Sequence, residues 1–436
     1  MSEKVNIFWF RRDLRLDDNA GLYNALNAAY PVLPIFIFDV EILHTLPEND
    51  ARVSFIYDSL QEMRKRLKER NQGSIGIYYG SPVEIFKKLT TEYDVEAVYT
   101  NRDYEPYAQK RDREIAKNLK VSNIEFKSFK DQVIFEKDEV VKDNGEPYVV
   151  YTPYMRKWKQ KFQTDNPAMD YDSASLLNRV YKKVDLPNPA LEEVGFKRSD
   201  IKVSPYEISP SLINSYDKTR NFPAIEKGTS KLGPHLRFGT VSIRQIVKKA
   251  LKARVEAFLN ELIWREFFMQ ILWHFPHTVH KAFKPKYDRI PWRNNEREFE
   301  KWKNGETGYP LVDAGMRELN STGFMHNRVR MLVASFLCKH LLIDWRWGEA
   351  YFALKLLDFE LSSNVGNWQW AAGSGVDAAP YFRIFNPLTQ VDKFDKQKEY
   401  INKWVPDLQE LTYPQMMVDH KMARERCLKT YKEALS

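Results

Sequence analysis

The first 130 residues repeat one pattern five times: a short apolar run, separated from the next by a segment with helical spacing. "VNIFWF", "VLPIFIF", "IGIYYG", "AVYTN" and "IEFKSF" read as buried strands. Between them, "NAGLYNALNAA", "ARVSFIYDSLQEMRKRLKERN", "SPVEIFKKLTTEY" and "YAQKRDREIAKNL" place apolar residues every three or four positions. Strands that are apolar on both faces and alternate with helices imply a parallel, doubly wound sheet. No G-x-G-x-x-G follows the first strand, and no G-x-x-x-x-G-K-[ST] occurs anywhere. A conventional dinucleotide or P-loop site is therefore not expected in this domain.

Beyond residue 130 the pattern changes. Residues 131–210 are rich in turn formers, as in "KDNGEPYVVYTPY" and "DLPNPALEEVG", and read as a long interdomain connection with a short helix around Tyr154–Phe162. From 211 to 436 the spacing is helical almost throughout. A chain of 436 residues exceeds one compact core. The expected fold is α/β: a doubly wound domain over 1–130, a connection over 131–210, and an all-helical domain over 211–436.

Charge and tryptophan are both unevenly placed. Residues 1–130 carry 20 basic and 20 acidic side chains, so the whole net charge of +8 lies beyond them. Of 11 tryptophans, all but Trp9 lie at or after Trp158. A basic, indole-rich region is a candidate nucleic-acid surface. The longest apolar runs fall far short of the ~20 residues a membrane helix needs. The N-terminus lacks signal-peptide features, and Cys338 and Cys427 stand in no metal or redox spacing, so a cytoplasmic protein without a metal site is expected. A monomer is expected as well.

Within "FLNELIWREFFMQILWHF" (258–275), Glu261, Trp264, Arg265 and Phe268 share one helix face. A dry core would not take a carboxylate and a guanidinium there without partners. In "MHNRVRMLVASFL", Asn327 and Met331 lie four apart, with Arg328 and Arg330 also polar in an apolar helix. Two such helices facing each other would make an apolar pocket with a few fixed polar groups. His326 adjoins this set, whereas His274, His277 and His280 are separated by Pro276 and do not read as a metal site.

"TSKLGPHLRFG" (229–239), "NELIWREFF" (260–268), "TGYPLVDAGMRELNSTGFMHNRVRM" (307–331), "NWQWAAGSGVDAAPYFRIFNP" (367–387) and "FWFRRDLRLDDN" near the start resemble the photolyase/cryptochrome family over nearly the whole chain. The resemblance implies an α/β domain joined to a helical domain that holds FAD. Tyr216 and the stretch Thr229, Ser230, Lys231, Leu232 and Gly233 match the loop that cradles the FAD phosphates. Asp358, Phe359 and Glu360 match the tripeptide beside the flavin, where relatives more often read Asp-Gly-Asp. Arg330 is expected to pair with Asp358, Asn364 to face flavin N5, and Phe258 to stand where some relatives have Trp. Trp368, Trp345 and Trp292 match a chain of three indoles leading electrons to the flavin, while Trp302, Trp347 and Trp273 read as core.

The same resemblance points closest to class I cyclobutane pyrimidine dimer photolyases, which flip the lesion out of damaged DNA. Glu261, Trp264, Asn327, Arg328, Met331 and Trp370 match their substrate pocket, and Arg265 and Phe268 share its helix face. Arg220 and Gln390 match positions that contact DNA near the lesion. A (6-4) photolyase would show a histidine pair around 326–331, where "MHNRVRM" has one histidine followed by Asn. The alternative is a cryptochrome-like photosensor that binds FAD without repair; a flavin oxidoreductase is disfavoured by the missing nicotinamide fingerprint. Phe36, Phe38, Asp39, Arg52, Asp103 and Glu105 fall where deazaflavin-binding relatives contact an antenna pigment, which a methenyltetrahydrofolate could replace.

Overall fold

The computed structural model describes residues 3–71, 73–167 and 170–436. Five strands, β1 (Lys4–Phe10), β2 (Val32–Asp39), β3 (Gly76–Gly80), β4 (Asp94–Asn101) and β5 (Glu125–Phe129), coincide with the five apolar runs. All pair in parallel, in the order β3-β2-β1-β4-β5. Side chains alternate between two cores. Val5, Ile7 and Trp9 face one with Leu33 and Ile35, whereas Phe8 and Phe10 face the other with Phe36 and Phe38. Helices cover both sides, which is why the strands read as unbroken apolar runs.

The chain groups into two compact units. The sheet unit comprises 1–136, 160–205 and 232–249; the helical unit comprises 137–159, 206–231 and 250–436. Residues far from the strands in sequence join the sheet unit through buried charge. Arg244 pairs with Asp18 at 3.0 Å and Asp131 at 2.9 Å, and Arg15 pairs with Asp131 at 2.7 Å. At Gly239, with φ of +64°, a Cβ would lie 2.1 Å from the Arg12 carbonyl oxygen, so only glycine fits that turn.

The helical unit is built on one large core that includes Trp302, Trp345, Trp368, Phe336 and Leu337. The segment expected as a connection supplies the helix Tyr151–Asp165. Within the helical unit its Trp158 indole N–H donates to the buried Glu266 carboxylate at 2.7 Å. No helix among the described residues is long and apolar enough to cross a membrane.

Candidate functional site

Helix Ala257–His274 is packed on most of its circumference, so its sequence is apolar nearly all round. Its less buried face carries Glu261, Trp264 and Arg265. Glu261 forms an ion pair with Arg220, which caps the helix Pro210–Thr219. Burial pushes the Glu261 carboxyl above the usual range, and Arg220 only partly offsets it. Tyr151 stacks face to face on Trp264, with ring centroids 3.6 Å apart and planes 5° from parallel. Phe268, expected among the DNA-facing residues, is instead buried behind Trp264, its ring lying against Gly366.

Arg328 extends this surface. Its guanidinium donates to the Asn221 side-chain oxygen at 2.5 Å, lies 3.8 Å from the Met331 sulfur, and covers the Phe394 ring at 4.4 Å. Burial first, then the like charges of Arg220 and Arg383, lowers its pKa. Arg383 in turn lies 6.0 Å over Trp370. Thus Arg220, Glu261, Arg328, Met331 and Trp370 belong to one region of the helical unit. Asn327 is exposed at the start of helix Asn327–Ser335, and Gln390 is half-buried on helix Pro387–Phe394.

A second group of polar side chains is bound less completely. Among the described residues the Thr229 and Ser230 hydroxyls have no hydrogen-bond partner and the half-buried Lys231 ammonium, 3.3 Å over the Phe324 ring, has no carboxylate in contact. Burial lowers the Lys231 pKa, with Arg330 and Lys403 adding to the effect against Glu318. His326 Nδ1 accepts from the Arg328 amide at 3.1 Å, so the neutral ring carries its hydrogen on Nε2, a buried atom with no partner. Burial, then Lys231 and Arg330, pushes His326 down to about 3. An ammonium, two hydroxyls and an N–H donor left unengaged suit a diphosphate. Leu232 and Gly233, expected in the same loop, belong to the sheet unit, where they begin the helix Gly233–Phe238.

The rest of the expected cradle lies in the helical unit. Tyr216 and Phe258 meet edge to face at 5.2 Å. Arg330 donates to both Asp358 oxygens, at 3.1 and 2.9 Å. Glu360 caps the helix Leu361–Ala372, accepting from the Ser362 and Ser363 hydroxyls at 2.6 and 2.9 Å. Its extra methylene relative to Asp thus serves a cap, and Phe359 packs half-buried on the core. Asn364 donates its amide hydrogens to the Glu349 carboxylate and carbonyl at 2.8 and 3.0 Å.

Comparison with known proteins shows the family of the chain. Residues 6–170 match the family described as DNA photolyase, and residues 258–412 the FAD binding domain of DNA photolyase. The deoxyribodipyrimidine photo-lyase of Halobacterium salinarum is 35% identical over 99% of this chain and 99% of its own. The chain belongs to the DNA photolyase family. A bacterial class III photolyase structure from Agrobacterium tumefaciens has a TM-score of 0.84 and 32% identity, covering 100% of this chain and 98% of its own. An archaeal photolyase structure from Sulfolobus tokodaii, described with two FAD molecules, has a TM-score of 0.79 and 33% identity over 99% of this chain and 100% of its own.

In this photolyase-family chain the three indoles of the implied electron route grade from core to margin. Trp368 and Trp345 are each 2% exposed, and Trp292 is half-buried. They are not stacked on one another: Trp368 meets Phe352 at 5.0 Å and Trp302 at 6.2 Å, Trp345 lies under the Arg346 guanidinium at 4.7 Å, and Trp292 meets Tyr431 at 6.1 Å. The residues assigned to an antenna lie in the sheet unit. Phe36 and Phe38 are buried edge to face at 5.0 Å. Asp39 accepts from Tyr107 at 2.7 Å, Arg52 forks onto Asp50 at 2.6 Å, and Arg12 bridges Asp103 at 3.1 Å and Glu105 at 3.0 Å. These groups are already engaged within the unit, so a pigment would have to share them.

Sequence reasoning missed Tyr151, Asn221, Arg383 and Glu349. Tyr151 sits in a turn-rich stretch and Arg383 in a loop, where no periodicity marks a side chain's direction. Only the aromatic cluster "PYVVYTPY" signalled something packed there.

Proposed function

We propose that this chain is a light-driven DNA repair enzyme that splits cyclobutane pyrimidine dimers flipped out of the duplex. The observation that supports it most is the half-buried Glu261–Arg220 pair beside Trp264, a charged group on an aromatic lip where a plain helix core would have neither. FAD, reduced and excited by light, would supply one electron to the dimer and regain it after the ring opens. Thr229, Ser230 and Lys231 would hold its phosphates, Tyr216 and Phe258 would wall it, and Asn364 and the Arg330–Asp358 pair would face its ring system. Glu261 would hydrogen-bond a pyrimidine edge beside its Arg220 partner, and Trp264 and Trp370 would supply stacking surface. Arg328 and the basic excess beyond residue 130 would hold the flanking phosphates. Trp368, Trp345 and Trp292 would pass electrons inward to restore the reduced cofactor. A solved structure described as a class III photolyase is among the proteins this chain resembles, so the reading is of the reaction and not of class I.

The test is direct. Purified protein with reduced FAD and a dimer-containing oligonucleotide, under blue light, should restore intact pyrimidines, and a dark control should not. Intact dimers after illumination would leave the photosensor reading in its place.

A further inference from the structure

We propose that Tyr151 is a positioning residue for lesion recognition, which fixes the Trp264 indole so that one surface is left for the flipped pyrimidines. This rests on the repair reading above. The stacking is close and nearly parallel, at 3.6 Å and 5°; Phe268 at 5.5 Å and Phe267 at 5.6 Å also pack on the indole, which stays half-buried. The indole turns on two torsions, and Phe267 and Phe268 lie farther from its centre than Tyr151 does. A ring pressed on one face removes that freedom before substrate arrives, which lowers the ordering cost of binding.

Tyr151 is itself held by two hydrogen bonds and by the anchoring of its helix. Its hydroxyl donates to the Asn260 carbonyl at 2.8 Å, on the same helix as Trp264. Its backbone N–H donates to Asp377 at 3.3 Å, in the loop that also carries Arg383 over Trp370. One turn along its own helix, Tyr154 is buried against Phe267 at 5.3 Å, and one turn further Trp158 is anchored on Glu266. Burial raises the Tyr151 pKa, and Glu261 adds to the rise while Arg220 opposes it. Tyr151 therefore links the helix that bears Trp264 to the loop next to Trp370. Its place in the chain, between the strands and the helices, hides that role.

The experiment measures affinity for dimer-containing and undamaged oligonucleotides at one salt concentration, with FAD content recorded for each variant. Tyr151→Leu removes the ring, and Tyr151→Phe keeps it. Aromatic stacking of this kind predicts a roughly three- to tenfold fall in the damaged-to-undamaged affinity ratio for Tyr151→Leu, with FAD content unchanged. Tyr151→Phe should keep the wild-type ratio. In a Trp264→Ala background, Tyr151→Leu should change the ratio no further, because Tyr151 acts through that indole. A wild-type ratio in Tyr151→Leu, an equal loss in Tyr151→Phe, or an additive loss on top of Trp264→Ala would each overturn the proposal. A wild type that shows no preference for damaged DNA would overturn the repair reading, and this proposal with it.

Discussion

Gly366→Ala should destabilise the helical unit and weaken lesion binding, although alanine is the better helix former. A Cβ at position 366 would lie 2.3 Å from Phe268 Cδ1 and 2.5 Å from Cε1, where ordinary contact begins near 3.4 Å. The Phe268 ring would have to withdraw by about 1 Å in a close-packed interior. Two terms oppose each other. Replacing glycine inside a helix contributes about 1 kcal/mol of stability, while overpacking a core costs about 1–3 kcal/mol. Phe268 is 6% exposed and hemmed in by Trp264 at 5.5 Å and Phe267 at 5.8 Å, so it has little room to move. The strain should win by about 1 kcal/mol, a fall of roughly 2–4 °C in the melting temperature of a unit this size. Ten of the 11 tryptophans lie in the helical unit, so intrinsic fluorescence follows its unfolding almost alone. In a Phe268→Leu background the narrower side chain should relieve the contact, and Gly366→Ala should become neutral or stabilising. A rise in melting temperature from Gly366→Ala by itself, or an equal effect in both backgrounds, would refute the clash with Phe268.

Three other outcomes follow from charge and burial. His326 and His340 are buried and neutral, each pushed down to about 3, so the unfolded chain binds two protons that the folded one refuses between about pH 6.5 and 3. Stability from this source is complete above pH 6.5 and falls by up to ~2.7 kcal/mol per unit as pH drops. Urea midpoints at pH 7.5 and 5.5 should differ accordingly, and His340→Asn should flatten the difference. Lys231→Met should fold normally and release FAD about tenfold more readily in a dialysis assay, as expected for one lost charge-assisted contact; unchanged retention would remove Lys231 from the cradle. Trp368→Phe should stop light-driven reduction of oxidised FAD, followed by absorption, while protein reduced chemically beforehand repairs dimers at the wild-type rate.

The sheet was legible because the inner strands β1, β2 and β4 are covered on both faces, which leaves apolar runs with no competing pattern, whereas the edge strand β5 is only half-buried. The helical core was legible for the same reason: Trp302 and Phe267 are buried, and their neighbours read as apolar. The candidate site was less so. Sequence spacing placed Glu261, Trp264 and Phe268 on one face, but the face is divided: Phe268 turns into the core against Gly366, while Glu261 turns outward to Arg220. Periodicity gives the angle of a side chain about its own helix and says nothing about which neighbour closes the space there. Arg220 shows the consequence. As a lone DNA-contacting cation, its removal would cost one phosphate contact and about one unit of salt dependence. Paired with Glu261, its removal also strips a half-buried carboxylate of the charge that restrains its pKa. Arg220→Ala should therefore alter dimer binding more than undamaged-DNA binding, and equal losses on both would return Arg220 to the role of a phosphate contact.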